Sequence, residues 1–228
     1  MGLILGLLAF PVFAQEAAEN PTINFSFKAI AFSRVAGLDE VFHGEKEEKT
    51  GLRLPTRNFS AVAEYKGKNP VVFYGRSMNE EGKIDHFPVA AVNIDKEWKQ
   101  VMLIFLPANR QVGAVDRRFE VLAVDAELAR FQGGGRHFVN VSGIDVAANI
   151  NGQKFFVGAG RSSTFAPRVK GDPSTRVPVQ FHFRKEGEWH LLSSTRWGMD
   201  SRLRTLVFIY EDPRRKRLAL RGITDRLP

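Results

Sequence analysis

Two histidines eight residues apart, one run of four cations, two glycine clusters and two tryptophans are the residues here whose types and spacing suggest chemistry. The histidines lie in "FHFRKEGEWH", residues 181–190. With Lys185-Glu186-Gly187 as a three-residue hairpin loop and Gly187 in the left-handed position, Arg184 faces Glu188, Phe183 faces Trp189 and His182 faces His190. Facing imidazoles have Cβ atoms ~5 Å apart, close enough to share an ion. Zinc wants three or four protein ligands. The chain has no cysteine, His137 is remote in sequence, and no carboxylate is clearly placed as a third ligand. The expectation is no metal and no cofactor, with His182 and His190 as an outside candidate pair.

The cations are Arg214, Arg215, Lys216 and Arg217 in "PRRKR". They fall between two apolar stretches, so they project on a turn. Two readings stay open. One is a solubilising turn that blunts sheet edges; the other is a patch for a polyanion such as an acidic glycan, lipid headgroups or another protein. "FQGGGR" (131–136) and "GAGRSS" (158–163) lack G-x-G-x-x-G in a strand–helix unit and read as hinge and turn. Trp98, and Trp197 in a loop, are the candidates for a glycan platform. No G-x-S-x-G, H-E-x-x-H, P-loop or EF-hand loop is present. The expectation is a protein that is not an enzyme.

The elements that hold these residues are strands. "INFSFKAIAFS" (23–33), "NFSAVAEY" (58–65), "VVFYG" (71–75), "VAAVNI" (89–94), "VMLIFL" (101–106) and "RFEVLAV" (118–124) alternate or form short apolar runs. "RHFVNVS" (136–142), "VAANI" (146–150), "VQFHF" (179–183), "WHLLSS" (189–194), "LVFIY" (206–210) and "RLALRGI" (217–223) repeat the cadence. Short strands at this spacing predict all-β architecture, immunoglobulin-like or Greek-key sandwiches.

The chain also repeats itself. "DKEWKQVMLIF" (95–105) and "DSRLRTLVFIY" (200–210) share an aspartate, a cation at the fifth position (Lys99, Arg204) and an apolar run ending in an aromatic. "RRFEVLAVD" (117–125) and "KRLALRGITD" (216–225) close the two copies, each at an aspartate. The offset of 105 predicts that Ile104 lands on Ile209. It yields a first domain over 15–125, a linker over 126–135 and a second domain over 136–228. In both copies of the repeated strand the two alternating faces are apolar, whereas a sandwich strand buries one and wets the other. The extra face predicts a cover: the other domain, a helix or a partner chain, or else the strand's own loops.

Charge is divided unevenly. Residues 1–125 carry a net −1 and residues 126–228 a net +9. The first 14 residues read as a signal peptide, with an apolar stretch from Leu3 to Phe13 and a small-residue cleavage site at Val12-Phe13-Ala14. An apolar run of about a dozen residues is short for a bilayer of ~30 Å. Export without cysteine fits a periplasmic or secreted bacterial protein. Export also disfavours nucleic acid as a partner.

"RHFVNVSG", "INGQKFFVGAG" and "EWHLL" resemble exported bacterial proteins built from small tandem β-sandwiches, in which a domain of unknown function opens with an F-x-N-x-S strand. The resemblance is strongest in the second unit. It implies the fold and an envelope location, and no catalytic residues. The expected function is a non-catalytic structural or protein-interaction component of the cell envelope, its partner an envelope protein or an anionic polymer. The alternative is a binding module for an anionic glycan or lipid headgroup through the basic second domain.

Overall fold

β-branched and aromatic residues at period two leave this chain no helical stripe, and in the computed structural model the described residues form sixteen strands. It describes residues 21–44, 48–112, 115–168 and 174–227; the signal-peptide expectation, residues 1–14, lies outside them. The first unit contains β1 (Thr22–Ala31), β2 (Glu40–His43), β3 (Thr50–Arg53), β4 (Ala63–Lys68), β5 (Val71–Met78), β6 (Ile84–Val92), β7 (Gln100–Val112) and β8 (Val115–Asp125). The second contains β9 (Arg136–Asn140), β10 (Val146–Ile150), β11 (Gln153–Val157), β12 (Ser162–Phe165), β13 (Arg176–Lys185), β14 (Glu188–Gly198), β15 (Leu203–Asp212) and β16 (Arg217–Arg226).

Each unit is a sandwich of two four-stranded sheets. Their orders are β4-β1-β7-β8 with β3-β2-β5-β6, and β12-β9-β15-β16 with β11-β10-β13-β14. The second pair is the first with every strand advanced by eight positions, down to the parallel pairings β1–β7 and β9–β15. The tandem all-β architecture is therefore as the sequence predicts, and the duplication extends through every strand.

The matched residues differ from the expectation by one. Asp95 and Asp200 open equivalent turns: each carbonyl accepts the N–H three residues on, from Trp98 or Leu203, at 3.1 Å. The parallel ladders end on Phe32 N–H to Phe105 O at 2.8 Å and Val141 N–H to Ile209 O at 2.9 Å. The turns thus match at an offset of 105 and the strands at 104. Phe105 takes the place of Ile209, and Ile104 that of Phe208. Side chains in a strand alternate, so a one-residue slip reverses the face. Ile104 packs toward the other unit and Ile209 into its own core. The closing aspartates are likewise mismatched: Val124 and Ile223 share the inter-unit face, leaving Asp125 and Asp225 on opposite sides.

Both apolar faces of the repeated strand are buried, and the second is covered by the other unit. Ile30, Met102, Ile104 and Val124 pack there against Val139, Leu206, Phe208 and Ile223. The four sheets consequently stack in layers, with the two long-strand sheets innermost. The linker helps to fill the joint, where Phe131 is 1% exposed. Gly134 at φ 77° supplies the left-handed residue that this turn requires. Polar ties cross the face. Asp225, buried, accepts from Arg204 Nε at 2.9 Å and, across the joint, from Lys28 Nζ at 2.7 Å. Arg221 donates to the Phe32 carbonyl at 2.5 Å while lying over the Phe32 and Phe208 rings.

The F-x-N-x-S strand has a structural role. Phe138 is fully buried in the second core, and Asn140 donates to the carbonyls of Ile144, Val157 and Gly158. Its Oδ1 accepts from the Ser142 hydroxyl at 2.6 Å and the Ser142 N–H at 3.1 Å. Asn140 and Ser142 thus tie β9 to the end of β11.

Candidate functional site

The β13–β14 hairpin decides how its side chains are presented, and its loop is one residue shorter than the sequence suggested. Glu186 at φ 52° and Gly187 at φ 89° form a two-residue turn of the type that matches strand twist. Lys185 therefore pairs with Glu188, Arg184 with Trp189, Phe183 with His190, and His182 with Leu191. His190 stacks beside Phe183 with ring centroids 5.6 Å apart, on the opposite face from His182. The candidate metal pair is thus divided between the two sides of the sheet. Among the described residues no group of three His, Cys, Asp or Glu could hold a metal ion.

Further along, a β-bulge between Phe181 and His182 repeats the one between Phe73 and Tyr74. It aligns the edge strands β6 and β14 residue by residue: Pro88 with Leu191, Val89 with Leu192, Ala90 with Ser193, Ala91 with Ser194, Val92 with Thr195. In the first unit, β6 runs beside β8 with Cα atoms within 8 Å, and Phe105 and Phe119 meet edge to face with centroids 5.5 Å apart. That edge of the sandwich is closed, and Ala90 and Val92 are buried.

The second unit leaves the same edge open. Where the first has Phe105 and Phe119, it has Ile209 and Leu218, and a cleft of about 730 Å³ lies between β14 and β16. Ile144, Phe183, Leu192, Leu218 and Leu220 form its apolar lining. A second hollow of about 490 Å³ continues it, sharing Ser193 and Leu220 and running on to Thr195, Arg196 and Arg176. Ser193 pairs with Phe181 and Thr195 with Val179, so both hydroxyls stand on the inward face; yet Thr195 is exposed, because among the described residues no strand closes over it.

Cations stand at both ends of this seam. At the hairpin end are Lys185, Arg215, Lys216 and Arg217; at the other are Arg176 and Arg196. Arg214, Arg215, Lys216 and Arg217 are all exposed, on the turn that the sequence predicted between β15 and β16. Asp212 builds that turn. Its Oδ1 accepts the Arg214 N–H at 2.9 Å and the Arg215 N–H at 3.3 Å, and these bonds hold its carboxyl below the usual carboxylate range. Arg136, by contrast, is buried beneath the seam. It donates to the carbonyls of Gly134, Gly135 and Gly198 and lies over the Trp197 ring, so it supports the site from below.

The tryptophans named from sequence do not form a platform. Trp197 lies within β14, stacked on Phe138 at 6.2 Å and packed on Phe181, and Trp98 packs against the first core. Among the described residues the exposed aromatic rings are Phe87 in the first unit and, in the second, Phe156 and Trp189 on the outer face, which stand at 87° to each other and so are not coplanar. "GAGRSS" forms the turn from β11 into β12, where the Arg161 carbonyl accepts the Asn140 N–H and the Gly160 N–H donates to the Ser142 carbonyl.

Two histidines outside the seam are buried. His137 at the inter-unit face meets Thr164 Oγ1 at 2.8 Å while its Nε2 is unpartnered, and burial lowers its pKa to about 4. His43, in the first core against Phe27, is lowered by the same cause. Neither reaches the seam.

No family model matches the chain, and no curated protein matches it. The seam is accordingly defined by its geometry and by comparison of the two units. Sequence reasoning named the run Arg214 to Arg217 but missed Lys185, Arg176, Arg196, Ser193, Thr195 and the open edge. The signal was present in "LLSST" set against "PVAAV", which becomes visible only once the bulges fix the alignment.

Proposed function

We propose that the protein is an exported, non-catalytic interaction component of the bacterial cell envelope that holds an anionic partner in the open seam of its second unit. One observation carries this reading: inward-facing edge positions that are buried Ala90 and Val92 in the first unit are Ser193 and Thr195, lining an open cleft, in the second. A duplicated sandwich that closes one edge and leaves the other open has lost burial there. Hydroxyls have replaced apolar groups on its inward face, and cations stand at both its ends, as suits a ligand site. The net +9 of residues 126–228 gives the sign of the ligand. The apolar stretch from Leu3 to Phe13 supports export.

The test replaces Arg214, Arg215, Lys216 and Arg217 together with Ser. Wild type should be retained on envelope fractions and on heparin at low salt and released as salt rises, since screening sets in at ~8 Å at physiological ionic strength. The variant should pass through. Equal retention of the two proteins would remove the seam from consideration.

A further inference from the structure

We infer that the anionic partner is a protein, and that the seam takes an acidic, extended segment of it as an added strand on β14. This rests on the seam being the anionic site, and goes beyond it by naming the ligand's class and mode of binding.

The phase of the β13–β14 ladder shows which backbone groups are free. Met199 N–H donates to Thr175 O at 3.1 Å, so the directly opposed pairs Trp197–Val177, Thr195–Val179 and Ser193–Phe181 are the hydrogen-bonded ones. The N–H and C=O groups of Ser194 and Arg196 therefore point away from β13. Among the described residues no strand pairs with β14 on that side. An unpaired strand edge is a template for another chain, and natural edges are usually blocked by proline, charge or cover. The first unit uses two of these devices. Pro88 stands in β6, and β8 covers its flank. Its counterpart β14 has Leu191 where β6 has Pro88, and among the described residues no strand covers it as β8 covers β6.

An acyl chain could occupy the apolar lining but would leave the Ser194 and Arg196 backbone groups dry and unpaired, a cost that a peptide backbone avoids. From Leu191 to Gly198 the edge spans eight residues, ~26 Å at ~3.3 Å per residue. A strand of that length reaches from Lys216 and Arg217 at one end to Arg176 and Arg196 at the other. Ser193 and Thr195 then offer hydroxyls to its inward side chains. Main-chain hydrogen bonds supply affinity and alternate side chains supply selection, as in other strand-addition sites. The cations select acidic residues.

The experiment uses the whole chain and a fluorescein-labelled peptide of four Glu-Val repeats, read by anisotropy at low salt. Binding is expected. It should weaken at least about tenfold when alternate peptide nitrogens are methylated, when Lys replaces Glu, and in Ser194→Pro, which removes an outward N–H and no ladder bond. Hydrogen exchange at the Ser194 and Arg196 amides should slow when the peptide is added, a readout that needs no variant. If the methylated peptide binds as well as its parent, or those amides stay unprotected, strand addition is overturned while the anionic site stands. The same holds if heparin or phosphatidylglycerol vesicles bind and the peptide does not. Failure of every anion to bind overturns both.

Discussion

Replacing Asp225 with Asn tests whether the two units form one cooperative body. Asp225 and Arg204 are 5% and 7% exposed at their side chains, and Lys28 from the first unit is 29% exposed. Removing the charge leaves the Arg204 guanidinium buried with only the carbonyls of Ala126 and Phe131 and a weakened third acceptor. Breaking one side of a buried pair costs ~3–5 kcal/mol. Asn keeps one acceptor oxygen, so the lower end, ~3 kcal/mol, is expected. Lys28→Met should cost less than ~1 kcal/mol, because water already screens that side chain. In urea, a slope of ~2–3 kcal/mol per molar moves the Asp225→Asn midpoint down by about 1 M. Fluorescence and far-UV circular dichroism should shift together, with slope unchanged. A midpoint that stays within ~0.2 M of wild type would refute the reasoning. So would a split curve in which one half keeps the wild-type midpoint, since the units would then be thermodynamically separate.

Acidification should act through His137. It is neutral when folded, with its pKa lowered from 6.5 to about 4, so the unfolded chain binds the proton first. Stability should be constant above about pH 6.5 and fall between there and pH 4, by ~3 kcal/mol at ~1.4 kcal/mol per pH unit. His43 acts in the same direction. Urea titrations at several pH values should show a flatter profile for His137→Gln, and an unchanged profile would discount the residue. Phe208→Ala, at the fully buried inter-unit face, should cost ~3–5 kcal/mol by equilibrium unfolding. Asn140→Ala leaves three carbonyls without their donor and should cost ~3 kcal/mol, with a lowered melting temperature as the check. Intact-mass measurement of protein from the native host should show a chain beginning at Gln15; a mass including Met1 to Ala14 would count against export.

Much of the fold was legible because period-two alternation and duplication reinforce each other. The double apolar face of "VMLIFL" and "LVFIY" announced that something must cover it, and the other unit does. β2, β3, β11 and β12 were not legible: strands such as "TGLR" and "SSTF" are four residues long and carry little apolar signal. The predicted strand at 58–65 begins only at Ala63, because Phe59 is used in the inter-unit core and Ser60 accepts the Ala29 N–H. The histidine pairing failed for a sharper reason. One residue of loop length decides which face a strand residue takes, and "KEGE" is compatible with both loops. The cations of the β15–β16 turn were legible as a run, whereas Lys185, Arg176 and Arg196 are scattered in sequence and were not. The cleft beside them was not, since it arises from an edge that fails to close, and no single residue records that.

The shared inner face also governs the order in which this chain must fold. Residues of the first unit emerge from synthesis before those of the second. Until β9, β15 and β16 exist, Ile30, Met102 and Ile104 have no second layer over them. A half-made chain therefore presents a bare apolar sheet. The β1–β7 pairing that builds this sheet joins Lys28 to Met102, and its counterpart joins His137 to Leu206. Contacts at such separation form slowly, because loop closure precedes any reward from packing. The interval of greatest aggregation risk thus falls between completion of β8 and docking of β15, and it is set by topology rather than by final stability.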